Sequence, residues 1–260
     1  MPKPTIAPGD PCWIDLSTSN VQVSRDFYSR LFGWTYEAGD EATYGGYVMA
    51  FVQGAPVAGM MQNEPGSGQP DAWTTYLRTD DIHATAQAAL AAGGQVLMPP
   101  MEVPEQGHMA IFADAGGAVI GAWQFGGHTG GQLAGEHGAP FWHELHTRHY
   151  EPSVKFYQDA FGWDTSVMSD TEEFRYTTLG SGYESRAGIM DASTYLPESV
   201  PSNWQIYFGV DDADAAATTA ESLGAQIIHA PEDTPFGRMA TLTDPTGAVF
   251  KIAQRPGPQS

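Results

Sequence analysis

The sequence has little cysteine, few basic residues and no long apolar run. Its single cysteine, Cys12, excludes an intramolecular disulfide framework and a cysteine-rich zinc module. Only 11 Lys and Arg residues stand against 31 Asp and Glu residues, so the net charge is −20 and repels nucleic-acid phosphates and anionic membranes. No stretch has the apolar length of a membrane span, and the first residues lack the apolar segment of a signal peptide. We therefore expect a cytoplasmic protein with no nucleic-acid or membrane partner.

The chain of 260 residues repeats itself. Residues 11–34 and 140–163 share ten identities without a gap, among them the FY and FGW pairs of FYSRLFGW and FYQDAFGW. Residues 57–63, 72–94 and 109–124 have counterparts at 186–192, 203–225 and 239–254. Such self-similarity indicates a duplicated structural unit.

Each copy of the repeat looks double in turn. The order of one strand, one helix and three strands occurs twice per copy, which predicts an α+β fold with each sheet covered on one face by helices. We expect a first domain over 9–124, with modules at about 11–63 and 71–124. A glycine-rich segment, 125–139, is typical of a flexible linker. A second domain over 140–254 follows, with modules at about 140–192 and 202–254.

Strand alternation predicts which side chains lie on the open face of each sheet, away from the helices. Pockets for flat organic ligands are lined by such a mixture of aromatic, methionine and polar side chains. The predicted ligand-binding residues are Trp13, Asp15, Met60, Tyr76, Trp123, Trp142, Met190, Gln205 and Tyr207. The predicted acid–base residues are Glu144, His146 and Lys251.

The motifs FYSRLFGW and FYQDAFGW, with DPTGAVFKIAQ and DAGGAVIGAWQ near the end of each copy, resemble the vicinal oxygen chelate superfamily. That superfamily includes glyoxalases, bleomycin-resistance proteins and extradiol dioxygenases. The likeness is closer to fused two-domain proteins of high-GC bacteria, sometimes labelled hydroxylases and linked to the biosynthesis of anthracycline-type aromatic polyketides. The resemblance implies four βαβββ modules paired into two cup-shaped half-barrels.

The resemblance also implies where a divalent metal would be held, by His, Glu or Gln side chains. The matching positions in this sequence carry Trp13, Trp142, Thr74, Gln205, Gly121 and Lys251, with Met60, Met61, Ile189 or Met190 at the fourth position. Only Gln205 among them could coordinate a cation, and a lysine beside it would repel one. No cofactor is therefore expected, although a metal held by shifted ligands is left open.

Four histidines cluster near the start of the second copy, at positions 137, 143, 146 and 149. His143 and His146 are separated by three positions in a strand and should point to opposite faces, so they cannot share one ion. Glu144 and His146 are separated by two and should share the open face, where Glu144 could also form an ion pair with Lys251.

Three function classes remain open. The first, which we favour, is metal-independent binding of a small aromatic natural product or hydrophobic metabolite, as an accessory factor in antibiotic biosynthesis or resistance. The second is a glyoxalase- or dioxygenase-like enzyme, either with non-standard metal ligands or metal-free through Glu144, His146 and Lys251. The third is a protein-interaction role with a vestigial cup. A homodimer or a partner enzyme is left open.

Overall fold

Two sheets and five α-helices make up the part of the chain described by the computed structural model, residues 4–254. The first half contains Pro11–Thr18 (β1), Val21–Phe32 (α1), Thr35–Ala38 (β2), Glu41–Tyr44 (α2), Val48–Val52 (β3), Ala55–Gln62 (β4), Ala72–Thr79 (β5), Ile82–Ala91 (α3), Gln95–Val103 (β6), Gly107–Ala113 (β7) and Val119–Phe125 (β8). The second contains Pro140–Thr147 (β9), Tyr150–Phe161 (α4), Thr165–Asp170 (β10), Arg175–Leu179 (β11), Ala187–Asp191 (β12), Asn203–Val210 (β13), Ala213–Ser222 (α5), Gln226–Thr234 (β14), Gly237–Thr243 (β15) and Val249–Gln254 (β16), with a 3₁₀ turn at Gly182–Glu184.

Both sheets have eight strands in the same relative order. The first runs β2-β3-β4-β1-β5-β8-β7-β6 and the second β10-β11-β12-β9-β13-β16-β15-β14. Within each sheet the two modules meet at an antiparallel pair of their first strands, β1 with β5 and β9 with β13. The outermost strands do not pair with each other, so the sheets stay open. The predicted α+β fold of four βαβββ modules in two cup-like sheets is confirmed.

The first helices of the two halves, α1 and α4, both end at a glycine, and α1 also has a side-chain N-cap. Asn20 precedes α1, and its side chain accepts a hydrogen bond from the Val23 amide at 3.2 Å. Gly33 ends α1 with a left-handed φ of 70°, and Gly162 ends α4 with a φ of 68°. Phe27 and Tyr28 lie on the buried face of α1, so both residues of the FY motif pack in the core.

Each of the two main hydrophobic cores is built from both halves of the chain. The first core joins the module of α1 to the module of α5, with Phe27, Trp34 and Phe250 among its buried side chains. The second joins the module of α3 to that of α4, with Phe112 and Phe156. The helices therefore lie between the two sheets, and each half contributes half of each core.

Hydrogen bonds at the repeated tryptophans connect the halves in the same reciprocal way. Trp34 donates to the carbonyl of Gly138 at 2.8 Å, and Trp163 donates to the carbonyl of Gly9 at 2.9 Å. Gly9 and Gly138 each lie just before the first strand of their own half. Both tryptophans of the FGW motifs are thus structural.

The glycine-rich segment after β8, which the sequence predicts to be a flexible linker, makes backbone hydrogen bonds to other parts of the fold. Amide groups at Gly127, Gly131 and Gly138 donate to carbonyls in the β6–β7 turn, in β1 and in β13, at 2.8–3.0 Å. Glycine is needed in this segment because the segment runs close to other parts of the backbone. A Cβ on Gly130 would lie 2.5 Å from the carbonyl oxygen of Cys12.

The helices are short. The longest, α1 and α4, have 12 residues each, and no helix within residues 4–254 is both long and apolar enough to cross a membrane.

Candidate functional site

The open face of the second sheet gathers the predicted polar residues into a few adjacent rows. Tyr207 on β13 is paired in register with Trp142 on β9 and with Lys251 on β16, so these three side chains lie side by side. One pleat further along, Gln205 is paired with Glu144. We call this surface the second cup, and it comprises Trp142, Glu144, His146, Gln205, Tyr207 and Lys251.

Glu144 is the centre of the second cup. It is 6% exposed, and its Oε1 accepts hydrogen bonds from the Tyr207 hydroxyl and from Nε2 of His146, each at 2.7 Å. The Tyr176 hydroxyl donates to Oε2 at 2.5 Å, and Trp142 donates its indole N–H to Tyr176 at 3.1 Å. A buried carboxylate is tolerated only with such partners.

These partners keep Glu144 ionised. Burial raises the pKa of its carboxyl, but the hydrogen bond from His146, the electrostatic interactions with His146 and Lys251, and the hydrogen bond from Tyr176 outweigh burial and lower the pKa to about 2. Glu144 is therefore an anion and a hydrogen-bond acceptor at neutral pH.

His146 connects the buried carboxylate to the surface. Its Nε2 lies 2.7 Å from Glu144, and its Nδ1 lies 3.0 Å from the hydroxyl of Tyr195, a residue that is 51% exposed in the loop after β12. A carboxylate on one ring nitrogen fixes the tautomer that presents the other nitrogen as an acceptor. The prediction that His146 and His143 face opposite ways is confirmed: His143 lies between the sheets, with Nδ1 3.1 Å from the hydroxyl of Thr75.

Lys251 reaches Glu144 only through a tyrosine. Its Nζ donates to the Tyr207 hydroxyl at 2.8 Å, which in turn donates to Glu144. The ammonium also lies 4.7 Å from the centroid of the Tyr207 ring, within cation–π range. The direct ion pair of Glu144 and Lys251 considered from the sequence is therefore not formed.

Gln205 presents an unused acceptor. Its side-chain amide N–H donates to Asn203, whereas its Oε1 is buried and has no hydrogen-bond partner among residues 4–254. A buried carbonyl oxygen without a donor costs free energy, so this atom marks a place for a ligand hydroxyl or a water molecule.

The first cup (Trp13, Asp15, Tyr76 and Trp123) repeats the same arrangement without the histidine and the lysine. The Trp13 indole N–H lies 2.8 Å from Oδ1 of Asp15 and 2.7 Å from the hydroxyl of Tyr47, which itself donates to Asp15. Burial raises the pKa of the Asp15 carboxyl, against hydrogen bonds from Tyr47, Tyr76 and Trp13. Ser17 and Gly121 stand where the second cup has His146 and Lys251.

The first cup is filled by the protein itself. Trp13, Tyr76 and Trp123 are only 5–7% exposed and form a separate small core. His128, from the segment between the halves, packs edge-on against Trp13 with ring centroids 4.3 Å apart, and its carbonyl accepts the Trp123 indole N–H at 3.0 Å. The counterpart of Trp123 in the second half is Ala253, which is a far smaller side chain.

One predicted ligand-binding residue is misplaced. Met60 is fully buried in the core between the sheets, because it is paired with Leu16, a core residue of β1. The open-face neighbour in β4 is Met61, paired with Ser17. In the second half, Met190 is paired with His146, and it lies on the open face as expected.

Sequence analysis missed three tyrosines of the two cups. Tyr47 and Tyr176 have the same 129-residue separation as Trp13 and Trp142, so the repeat itself carried the signal. Tyr195 lies in a loop, and no repeat partner or periodicity points to it.

Two glycines make room for the tyrosines on the carboxylates. A Cβ on Gly59 would overlap the Tyr47 hydroxyl, and a Cβ on Gly188 would overlap the Tyr176 hydroxyl. These are the glycines of the repeated VAGMM and RAGIM segments, and their role became visible only in three dimensions.

The positions at which the resemblance places metal ligands do not fit a divalent cation. The Trp13 and Trp142 indoles offer only N–H donors, and both are engaged in hydrogen bonds to oxygen. The closing-strand position holds an ammonium group in Lys251, which would repel a cation. Within residues 4–254, no three His, Cys, Asp or Glu side chains are grouped to hold one ion.

Comparison with known proteins finds matches over nearly the whole chain. A family model described as the Glyoxalase/Bleomycin resistance protein/Dioxygenase superfamily matches residues 12–121 and 140–252. A Mycobacterium bovis protein named "Putative glyoxylase CFP32" is 38% identical over 96% of each chain. A Streptomyces peucetius protein named "Anthracycline biosynthesis protein DnrV" is 34% identical over 95% of this chain and 94% of the relative.

Among solved structures, a Mn(II)-bound glyoxalase from Novosphingobium aromaticivorans superposes with a TM-score of 0.65. It is 19% identical, and the match covers 95% of this chain and 82% of that one. At that identity the likeness concerns the fold alone.

Proposed function

Because the chain belongs to the glyoxalase/bleomycin resistance protein/dioxygenase superfamily, we propose that its second cup binds a small, planar aromatic natural product without a metal ion. One observation carries this proposal. Trp142, Gln205 and Lys251 of the second cup are partly exposed, whereas the aromatic side chains of the first cup are buried and His128 packs against Trp13. The family supplies the fold, and the site residues of this chain supply the chemistry.

The aromatic part of the ligand is assigned to Trp142. Its side chain is half-buried, and no aromatic ring contacts it within the described chain, whereas Trp13 carries His128 against its face. A partly exposed indole fixed by a hydrogen bond to Tyr176 is a rigid surface for stacking, which suits a flat ligand. Met190 lies on the same open face and adapts readily to a ring edge.

The relatives support an aromatic polyketide as the ligand class. The Streptomyces peucetius relative is named for anthracycline biosynthesis, and anthracyclines are built on fused aromatic rings. An accessory role in making or tolerating such a compound is the proposal for this chain.

The test is a calorimetric titration with anthraquinone-2-carboxamide, a soluble stand-in for a fused-ring quinone. We expect one molecule bound per chain, with no change on adding a chelator. Trp142→Leu should weaken binding about tenfold, the loss of a stacked ring pair and its buried area. The matched Trp13→Leu should leave the affinity unchanged. No binding of this probe or of the matching carboxylate would reject the proposal, and two molecules per chain would reject its restriction to the second cup.

A second candidate function is metal-free proton transfer, and the contact chain Glu144–His146–Tyr195 favours it. Carboxylate, imidazole and phenol in line are suited to taking a proton from a ligand when Tyr195 gives up its place on Nδ1. The variant Glu144→Gln distinguishes the two functions. Ligand binding should persist in a binding protein, whereas deuterium exchange from D₂O into the bound compound should stop in an enzyme.

A further inference from the structure

Lys251 is the one lysine or arginine of the second cup, and most of its hydrogen-bonding capacity is unused. An ammonium group has three N–H donors. One of them points to the Tyr207 hydroxyl at 2.8 Å, and no other hydrogen bond or ion pair involves the group within residues 4–254. The side chain is only partly exposed, so the ammonium is held on the open face and does not extend freely into solvent.

The neighbouring anion does not use those remaining donors. Glu144 already accepts hydrogen bonds from Tyr176, Tyr207 and His146, and the Tyr207 hydroxyl separates it from the ammonium. The carboxylate therefore offsets the positive charge of Lys251 without contacting it. The remaining N–H donors of Lys251 are left for a ligand in the second cup.

The spacing of the side chains across the second cup indicates the size of the ligand. Trp142, Tyr207 and Lys251 occupy neighbouring positions on three adjacent strands. Adjacent strands are about 4.8 Å apart, so the indole and the ammonium are attached about 10 Å apart, roughly the length of three fused six-membered rings. A ring system stacked on Trp142 can therefore place an oxygen on Lys251.

We infer that the second cup selects a planar polycyclic aromatic acid, whose ring lies on Trp142 and whose anionic oxygen is bound by Lys251. The anion is a phenolate, enolate or carboxylate, and a hydroxyl beside it would satisfy the unpartnered Oε1 of Gln205. This inference rests on the proposed function, and it adds the charge that the ligand must carry.

The first cup supplies the contrast. At the position of Lys251 it has Gly121, and the ring of Tyr76 lies directly over that glycine. Arg78, two residues after Tyr76 on β5, hydrogen-bonds to the carbonyl of Ile6 and to Asp80. The two cups therefore differ in charge at the position that would meet the ligand oxygen.

The overall charge of −20 opposes an anionic ligand only at long range. At physiological salt the Debye length is about 8 Å, so distant carboxylates are screened while a contact with Lys251 is not. Raising the salt concentration should therefore speed association and leave the selectivity for the anion largely in place.

The experiment compares two probes of the same shape, anthraquinone-2-carboxylate and anthraquinone-2-carboxamide, by calorimetry at pH 7.5. The native protein should bind the carboxylate at least about tenfold more tightly, since a charge-assisted hydrogen bond is lost with the amide. Lys251→Met should abolish this preference, and Lys251→Arg should restore part of it. Lys155→Met, on the exposed face of α4, should behave as the native protein.

The outcomes separate the two proposals. Equal affinity of the native protein for both probes, or a preference that survives Lys251→Met, overturns the inference and leaves aromatic binding standing. Failure of both probes to bind overturns the proposed function and the inference with it. Lys251→Met retains a side chain of similar length, and a near-ultraviolet circular dichroism spectrum equal to that of the native protein shows that the variant is folded.

Discussion

The hydroxyl of Tyr28, on the first helix, donates a hydrogen bond of 3.2 Å to Oδ2 of Asp244, in the turn between the last two strands. The equivalent residues, Tyr157 and Asp114, are joined at 3.0 Å. Each tyrosine belongs to an FY motif and each aspartate to the turn near the end of the other half. The two most recognisable motifs of the repeat therefore connect the halves to each other.

Breaking one of these pairs should destabilise the whole molecule. Tyr28→Phe removes the donor to Asp244 and the acceptor of the Trp73 indole N–H, all of them buried. We expect a loss of about 1–3 kcal/mol in the free energy of unfolding, measured in urea by tryptophan fluorescence. In a double-mutant cycle with Asp244→Asn the losses should be less than additive. Tyr36→Phe, whose hydroxyl bonds within its own module, should be additive with Asp244→Asn.

Neither half should fold alone. Each main core takes one module from each half, so a fragment covering 1–134 would expose Phe27 and Phe112, and a fragment covering 135–260 would expose Phe250 and Phe156. We expect both fragments to lack cooperative unfolding and to regain near-ultraviolet circular dichroism when mixed. Cooperative unfolding of either isolated fragment would contradict this.

The repeat predicted much of the fold because its signals are local. Helix ends at Gly33 and Gly162, strand alternation at Glu144 and His146, and the module order are all properties of short segments. The exchange of core partners between halves is non-local, and nothing in one segment encodes it.

The site was predicted where it lies on strands and missed where it does not. Alternation correctly placed Trp142, Glu144 and Tyr207 on one face. In β4 the prediction chose Met60 instead of its neighbour Met61, and an error of one residue exchanges the two faces of a strand. Tyr195 and His128 approach the cups from loops, whose paths depend on contacts elsewhere in the fold.

Adding a methyl group at the two site glycines should have different consequences in the two cups. Gly188→Ala would displace the Tyr176 hydroxyl from Glu144, and Gly59→Ala would displace Tyr47 from Asp15. Both should lower stability by about 1–3 kcal/mol, as expected for overpacking of a close contact. Only Gly188→Ala should also weaken binding of anthraquinone-2-carboxamide, measured by calorimetry. Equal effects on binding would show that the first cup takes part.

The ionised form of Glu144 should stabilise the fold in a defined pH range. Its folded pKa of about 2 lies below the ordinary value of 4.5, so the stabilisation is complete above pH 4.5 and is lost as the pH falls toward 2. The difference in unfolding free energy between the native protein and Glu144→Gln should therefore be constant from pH 7 to 5 and shrink below 4.5. Urea titrations at each pH measure it, with Glu37→Gln, at an exposed position of β2, as the control. A difference unchanged down to pH 2 would contradict an ionised Glu144.

The buried His143 should lower the free energy of unfolding on acidification, in a higher pH range than the one in which Glu144 acts. It is 8% exposed between the sheets, and burial lowers its pKa from 6.5 to about 4. Between these values the unfolded chain binds a proton that the folded chain does not, so stability decreases as the pH falls, by at most about 1.4 kcal/mol per pH unit. His143→Gln keeps a partner for Thr75 and removes the titrating ring, so its unfolding free energy should depend less on pH from 6.5 to 4. The same urea titrations apply, with the exposed His83→Gln as the control. An identical pH dependence in native protein and His143→Gln would contradict the lowered pKa, because it would mean that His143 is protonated in the folded state as readily as in the unfolded chain.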